Sequence, residues 1–177
     1  MNIGAVIVTY NSASHIAACL AACANYASQL PAGIVVVDNA SSDSTTQLAA
    51  AFPGVTLIAN PQNAGFAAAA NQGFAALPAA EAVLLLNPDA RILSPPSLLA
   101  LPLIDDPSTA AAGGMLLGDS GEIQTGFQFR RFPTPAALAF EALGLNRLFL
   151  LALGGLEIAK GLPQGRSVGH FVHPNPA

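Results

Sequence analysis

Ile34-Val35-Val36-Val37-Asp38-Asn39-Ala40-Ser41-Ser42-Asp43 is the stretch whose reading decides the fold. Its first half is apolar and β-branched without a polar break, and its second half is mostly short and polar. A strand that is half exposed alternates apolar and polar residues, whereas a continuous apolar run belongs to a strand covered on both faces. Toward the N-terminus, Ile3 to Thr9 is a second run of the same kind, ended by Tyr10-Asn11-Ser12. Between the two, Ser12 or Ser14 is expected to cap a helix running to about Ser28. In the other direction, Ser41 to Thr45 supplies caps for a helix ending near Phe52, and Pro53-Gly54 marks a turn. Val55 to Ile58 is a third strand. Ala64 to Leu77 is an alanine-rich helix opening at Gly65, and Ala82 to Leu86 is a fourth strand ended by Asn87-Pro88-Asp89. Strand and helix thus alternate, which calls for an α/β fold: a mostly parallel sheet with helices on its faces and right-handed connections. In such sheets ligands bind at the carboxyl ends of the strands.

Beyond Asp89 the rhythm changes. Pro95, Pro96, Pro102 and Pro107 punctuate a short helical stretch, and Ala110 to Leu117 and Glu122 to Phe129 read as further strands. Pro133 and Pro135 open a helix expected to run to about Leu153, and Gly161 to Ala177 reads as loop. There is no internal repeat and no sharp boundary, so residues 1–177 read as one domain.

Composition narrows the function classes. The chain has 177 residues, of which 53% are hydrophobic and only 9% charged, with a net charge of −4. An average soluble domain carries roughly 25% charged residues. The absence of clustered Lys and Arg argues against a nucleic-acid partner. Leu143 to Leu156 is the most apolar stretch, but Asn146, Arg147 and glycines interrupt it. It is shorter than the roughly 20 residues a membrane span needs. It reads as a buried helix, with peripheral membrane contact as the alternative. Cys19 and Cys23 stand one helical turn apart and read as small core residues of a reducing compartment. The N-terminus shows no signal-peptide pattern, and the expected location is cytoplasmic, at most on the inner face of a membrane.

The polar residues fall where the strands end. Thr9-Tyr10-Asn11-Ser12, Asp38-Asn39-Ala40-Ser41-Ser42-Asp43 and Asn87-Pro88-Asp89 each follow an apolar run. Any one of them is an ordinary turn or cap. Together they bring carboxylates, hydroxyls and backbone amides to one edge, the set a nucleotide needs. A dinucleotide-binding dehydrogenase would carry Gly-x-Gly-x-x-Gly after the first strand, and Thr9-Tyr10-Asn11-Ser12 does not.

In the same order, Val8-Thr9-Tyr10-Asn11-Ser12, Val36 to Asp43, Asn63-Ala64-Gly65-Phe66-Ala67-Ala68-Ala69-Ala70-Asn71-Gln72-Gly73 and Leu86-Asn87-Pro88-Asp89 resemble the motifs of family 2 glycosyltransferases. They are similar to those of the bacterial rhamnosyltransferase-like members. The resemblance covers about the first ninety residues, and Arg130-Arg131-Phe132-Pro133 extends it less specifically. It implies the GT-A nucleotide-diphospho-sugar transferase fold, with residues 1–91 as the nucleotide-sugar-binding half and 92–177 as part of an acceptor-side half. It also implies inverting transfer of rhamnose or a similar sugar to an acceptor hydroxyl in cell-surface polysaccharide synthesis. The donor would be dTDP-rhamnose or a UDP-sugar, and the acceptor a glycan or lipid-linked sugar.

By the same resemblance, Thr9 and Tyr10 line the nucleotide base, Asn11 belongs to the nucleotide-sugar site, and Asp38 binds base or ribose. Asn63, Gly65 and Phe66 shape the floor beside the nucleotide, and Asn71 points into the cleft. Asn87 and Asp89 stand for the family's Asp-x-Asp element, with Asp89 holding Mg²⁺ or Mn²⁺ on the donor diphosphate. Read from the residues alone, Gly65 is a close-approach glycine or a plain turn, and Phe66 is a cleft residue or core. A mid-helix Asn71 points to a polar contact. Arg130 and Arg131 read as a solvated face or a diphosphate contact, His170 and His173 as loop histidines, and Asp105, Asp106 and Asp119 as turn and cap residues. The family's general base belongs to a downstream acidic pair, and after Glu122 only Glu141 and Glu157 follow. The chain is therefore expected to stop before the base. The alternative function is a catalytically incomplete nucleotide-sugar-binding or interaction domain of the same fold.

Overall fold

The computed structural model describes residues 1–118 and 121–124, and the backbone of 171–172. Contacts divide the chain into two units, Met1–Gly114 with Ser167–Ala177, and Met115–Arg166. In the first unit the strands are β1 (Ile3–Thr9), β2 (Gly33–Asp38), β3 (Val55–Ala59), β4 (Ala82–Leu86) and β5 (Phe171–Val172). The helices are α1 (Ile16–Ala24), α2 (Thr45–Ala50), α3 (Phe66–Ala75) and α4 (Pro96–Asp105), with a 3₁₀ turn at Ala27–Gln29. The sheet order is β3-β2-β1-β4-β5. The first four strands are mutually parallel, and β5 joins β4 antiparallel.

The continuous apolar runs are buried for the reason their pattern implied. Every residue of β1 is buried. Ile3, Ala5 and Ile7 face a layer built with Ile16, Leu20, Ala49 and Ala100 of α1, α2 and α4. Val6 and Val8 face Ala69 and Ala70 of α3 on the other side. Each fully buried Val or Ile contributes about 1.5–3 kcal/mol relative to an exposed one. The alanine run of α3 splits by helical period: Ala69 and Ala70 meet the sheet, while Ala67 and Ala68 face out. Closest approach comes at Gly73, where a Cβ would stand 2.4 Å from Val6 Cγ1.

Three expectations are corrected. The first helix starts at Ile16 and ends at Ala24. Neither Ser12 nor Ser14 caps it with a side chain. The hydroxyl of Ser12 turns back to the Tyr10 carbonyl, and its own carbonyl accepts the first helical N–H groups. Tyr26 then packs against the core, where the chain leaves helical geometry. Ala110 to Leu117 is not a strand. In the second unit the Leu117–Ile123 bridge is the β pairing among the described residues, closed by Gly118 N–H on the Glu122 carbonyl. Phe171–Val172, read as loop, pairs with Leu84 and Val83. Asp106 is the turn residue expected, accepting bonds from Ser108 and Thr109. The predicted helix to Leu153, Leu143–Leu156, Asp119, Arg130, Arg131, Glu141, Glu157, His170 and His173 lie outside the described residues or side chains. Among the described residues, no helix is long and apolar enough to cross a membrane.

Candidate functional site

The chain steps outward from β1 through β2 to β3, then returns to the other side of β1 for β4. That reversal makes the carboxyl ends of β1 and β4 the topological switch point of the sheet, the place where open parallel sheets bind ligands. Thr9 and Asp38 are register partners at the ends of β1 and β2, and Ala59 is opposite Asp38 on β3. Leu86 ends β4 opposite Ile7, so Asn87-Pro88-Asp89 leaves the sheet two residues short of Thr9 in register. All three predicted motif ends therefore meet at one edge.

At that edge the loops are interlocked. Asp38 is only 1% exposed. Its Oδ1 accepts the hydroxyls of Thr9, at 2.9 Å, and of Ser41, and its Oδ2 accepts the Ser41 N–H at 2.8 Å. This closes the β2–α2 turn through Ala40, which has φ of 62°. A non-glycine residue in that region is strained by roughly 1–2 kcal/mol, so it needs such bonds to hold it. Asn11, at φ of 49°, donates its N–H to Ser41 Oγ and accepts the Ser42 N–H at its Oδ1. Ser12 N–H donates to Thr45 Oγ1. The β1–α1 and β2–α2 loops are thereby tied together side chain to backbone.

Asp43 completes this seam. The Thr45 hydroxyl, with the N–H groups of Ala13 and Thr45, holds its carboxyl below the usual aspartate range. A carboxyl depressed on folding contributes stability that is fully present above the unfolded value of about 4 and is lost as pH falls through the folded value. Asp106, depressed by Ser108, acts in the same direction. Asp43→Asn is therefore expected to flatten, not abolish, the acid limb of a urea-midpoint profile taken down to about pH 3. A profile parallel to that of the wild type would show that these bonds form equally in the unfolded chain.

The far side of the edge is held by amides. Asn39, 3% exposed, donates its side-chain N–H to the Gly65 carbonyl and accepts from Asn60, which also bonds Gln72 on α3. Asn63 Oδ1 accepts the Gly65 N–H at 2.9 Å. Gly65 has φ of 81° and ψ of 162°, a region essentially reserved for glycine. This is the reason for the glycine, because a Cβ there would meet nothing within 4 Å. Asn39, Asn60, Ser41 and Thr45 are site-building residues missed as candidates in the sequence. Asn39 and Ser41 lay inside a quoted motif, whereas Asn60 shows no local signal.

Thr9 and Asp38 are thus buried beneath the edge, and Tyr10, Asn11, Asn63, Gly65, Phe66, Asn71, Asn87 and Asp89 are exposed on it or on α3. Phe66 opens α3 with its side chain outside the core. Among the described residues, Phe66, Asn71 and Asp89 join none of the hydrogen bonds above. The Asn87 carbonyl accepts the Ala90 N–H at 3.1 Å and the Cys19 thiol at 3.6 Å. Hydrogen bonding to Cys23, burial, and the charges of Cys23 and Asp89 push the Cys19 thiol well above its usual range. No group of three His, Cys, Asp or Glu among the described residues could hold a metal ion. The donor set at Asp89, one exposed carboxylate, fits a hard cation that takes its other ligands from a diphosphate and water.

Residues 5–142 match the sequence profile of glycosyl transferase family 2. The chain belongs to that family. Two solved structures show the same fold at low identity. TarS of S. aureus, residues 1–349, in complex with UDP, is 22% identical, with a TM-score of 0.57 over 76% of this chain. Glucosyl-3-phosphoglycerate synthase of Mycobacterium tuberculosis, in complex with UDP, is 18% identical, with a TM-score of 0.57 over 98% of this chain. The chain spans 38% of the first and 57% of the second. No curated protein sequence matches it at a significant level. The fold is accordingly the GT-A form of the α/β class, as the family 2 motifs implied.

Proposed function

We propose that this family 2 member is an inverting glycosyltransferase that moves a sugar from a nucleoside-diphosphate sugar to an acceptor hydroxyl. The observation that carries this reading is the exposed Asn87-Pro88-Asp89 turn at the β1/β4 switch point, with the interlocked Thr9–Asp38–Ser41 edge beside it. Tyr10, Asn11 and Phe66 supply exposed surface for the base and ribose, and Asn63, Gly65 and Asn71 line the α3 side. Asp38 acts through the turn that it holds. Asp89 holds Mg²⁺ or Mn²⁺ against the diphosphate, with Asn87 beside it. The cation, when bound, neutralises charge that develops on the departing diphosphate. UDP in the TarS complex, and UDP with Mn²⁺ in a complex of the mycobacterial synthase, support a metal-bound nucleoside diphosphate as donor. A UDP-sugar and dTDP-rhamnose are the two donors that the motifs favour. The acceptor is a glycan or lipid-linked sugar of the cell surface, reached at the cytoplasmic face of the membrane.

Calorimetric titration with UDP, dTDP and GDP, with and without Mn²⁺, tests this. One nucleotide is expected to bind only with metal. Asp89→Ala is expected to weaken it roughly 100-fold, the upper end of what even outer-shell losses cost a metal site. A folded chain that binds none of the three would sink the reading and leave an interaction domain in its place.

A further inference from the structure

Cys19 and Cys23 are completely buried on α1, four residues apart. Core packing alone would account for two small apolar residues there. Cys19, however, reaches beyond the core. Its Sγ lies 3.6 Å from the Asn87 carbonyl, across 68 residues of sequence. The same carbonyl accepts the Ala90 N–H, the bond that closes the turn around Asp89. Asn87 and Asp89 are exposed on this turn. The β4 end is also the lower step of the edge, two residues short of Thr9, so it receives none of the Asp38–Ser41–Asn11 bonding that locks the neighbouring loops.

We infer that Cys19 is a positioning residue for the donor-diphosphate site: its thiol clamps the Asn87 carbonyl from beneath and sets the turn that presents Asp89. This rests on the proposed role of Asp89 as the cation-holding residue. An S–H···O bond is worth about 0.5–1 kcal/mol, or roughly two- to fivefold in an equilibrium. That is enough to tune how often an exposed turn holds its binding geometry.

The test uses the full chain and four proteins: wild type, Cys19→Ala, Cys19→Val and Cys23→Ala. The first readout needs no ligand and is amide hydrogen exchange at Ala90, compared with Val37 in the core. Both Cys19 variants are expected to speed exchange at Ala90 roughly two- to fivefold relative to Val37. Valine fills the volume without a donor, so a shared effect reports the lost bond and not a cavity. Cys23→Ala removes the same atom one turn away, and is expected to leave the ratio unchanged. The second readout is metal-dependent nucleotide affinity, expected to fall by a similar factor in the Cys19 variants alone. An unchanged Ala90 ratio in the Cys19 variants, or an equal rise in Cys23→Ala, overturns the clamp while leaving the glycosyltransferase reading intact. A wild-type chain that binds no nucleotide with metal overturns that reading, and the positioning role falls with it.

Discussion

Asp38→Ala is expected to lower the free energy of unfolding by about 3–5 kcal/mol. The carboxylate is 1% exposed and accepts from three donors: the Thr9 hydroxyl, the Ser41 hydroxyl and the Ser41 N–H. Alanine leaves Thr9, itself buried, without that acceptor, and each stranded buried polar group costs roughly 1–3 kcal/mol. It also releases Ala40 from a backbone angle of positive sign, which opens the seam with Asn11. Urea unfolding at neutral pH measures the loss. Asp38→Asn is expected to recover part of it, because one amide oxygen can still accept while the amide nitrogen faces a donor. The outcome also separates two roles for the residue. A variant that keeps wild-type stability and loses only nucleotide affinity would show a carboxylate spent on the ligand. In the structure the carboxylate accepts the Thr9 and Ser41 bonds that hold the turn.

The second large effect lies on the opposite layer. Gly73→Ala is expected to destabilise by about 2–3 kcal/mol, although alanine is the better helix former by roughly 1 kcal/mol. An added Cβ would stand 2.4 Å from Val6 Cγ1 and 2.9 Å from Val6 Cγ2. Val6 is fully buried on the central strand and has a stiff χ1, so it has no room to give. Helix α3 must lift instead, and with it Gln72, Asn60 and the Gly65 loop they anchor. Denaturant midpoints report the cost. Val6→Ala removes the two methyl groups that clash, so the double variant is expected to be more stable than the sum of the single losses predicts. Simple additivity would mean that the contact is not the source of the strain.

Much of this was legible from local pattern. The continuous apolar runs placed β1, β2 and β4 within a residue or two, because a strand covered on both faces has no polar positions to spare, and β3, a half-exposed edge strand carrying Thr56, was placed as closely. Turn chemistry placed the polar motifs beyond the strand ends. The family 2 motifs in order were specific enough to imply the GT-A fold before any coordinates. Cap assignment was weaker. Ser12 looked like a helix cap, yet its N–H and hydroxyl are taken by Thr45 and by the Tyr10 carbonyl. A serine before a helix reads the same whichever partner is nearest in space.

By itself the sequence determined β1 to β4, their alternation with helices, and the edge to which the polar residues are delivered. Those follow from spacing along the chain. Only the tertiary structure decided which polar groups lie beneath that edge and which stand on it. Asp38 and Thr9 meet across 29 residues, and Cys19 meets Asn87 across 68. Asn60 meets Asn39 across 21, and Phe171 joins β4 from the far end of the chain. No local period encodes such pairs. They exist because a parallel sheet brings carboxyl ends from distant segments within hydrogen-bonding distance, where each buried polar group must find a partner.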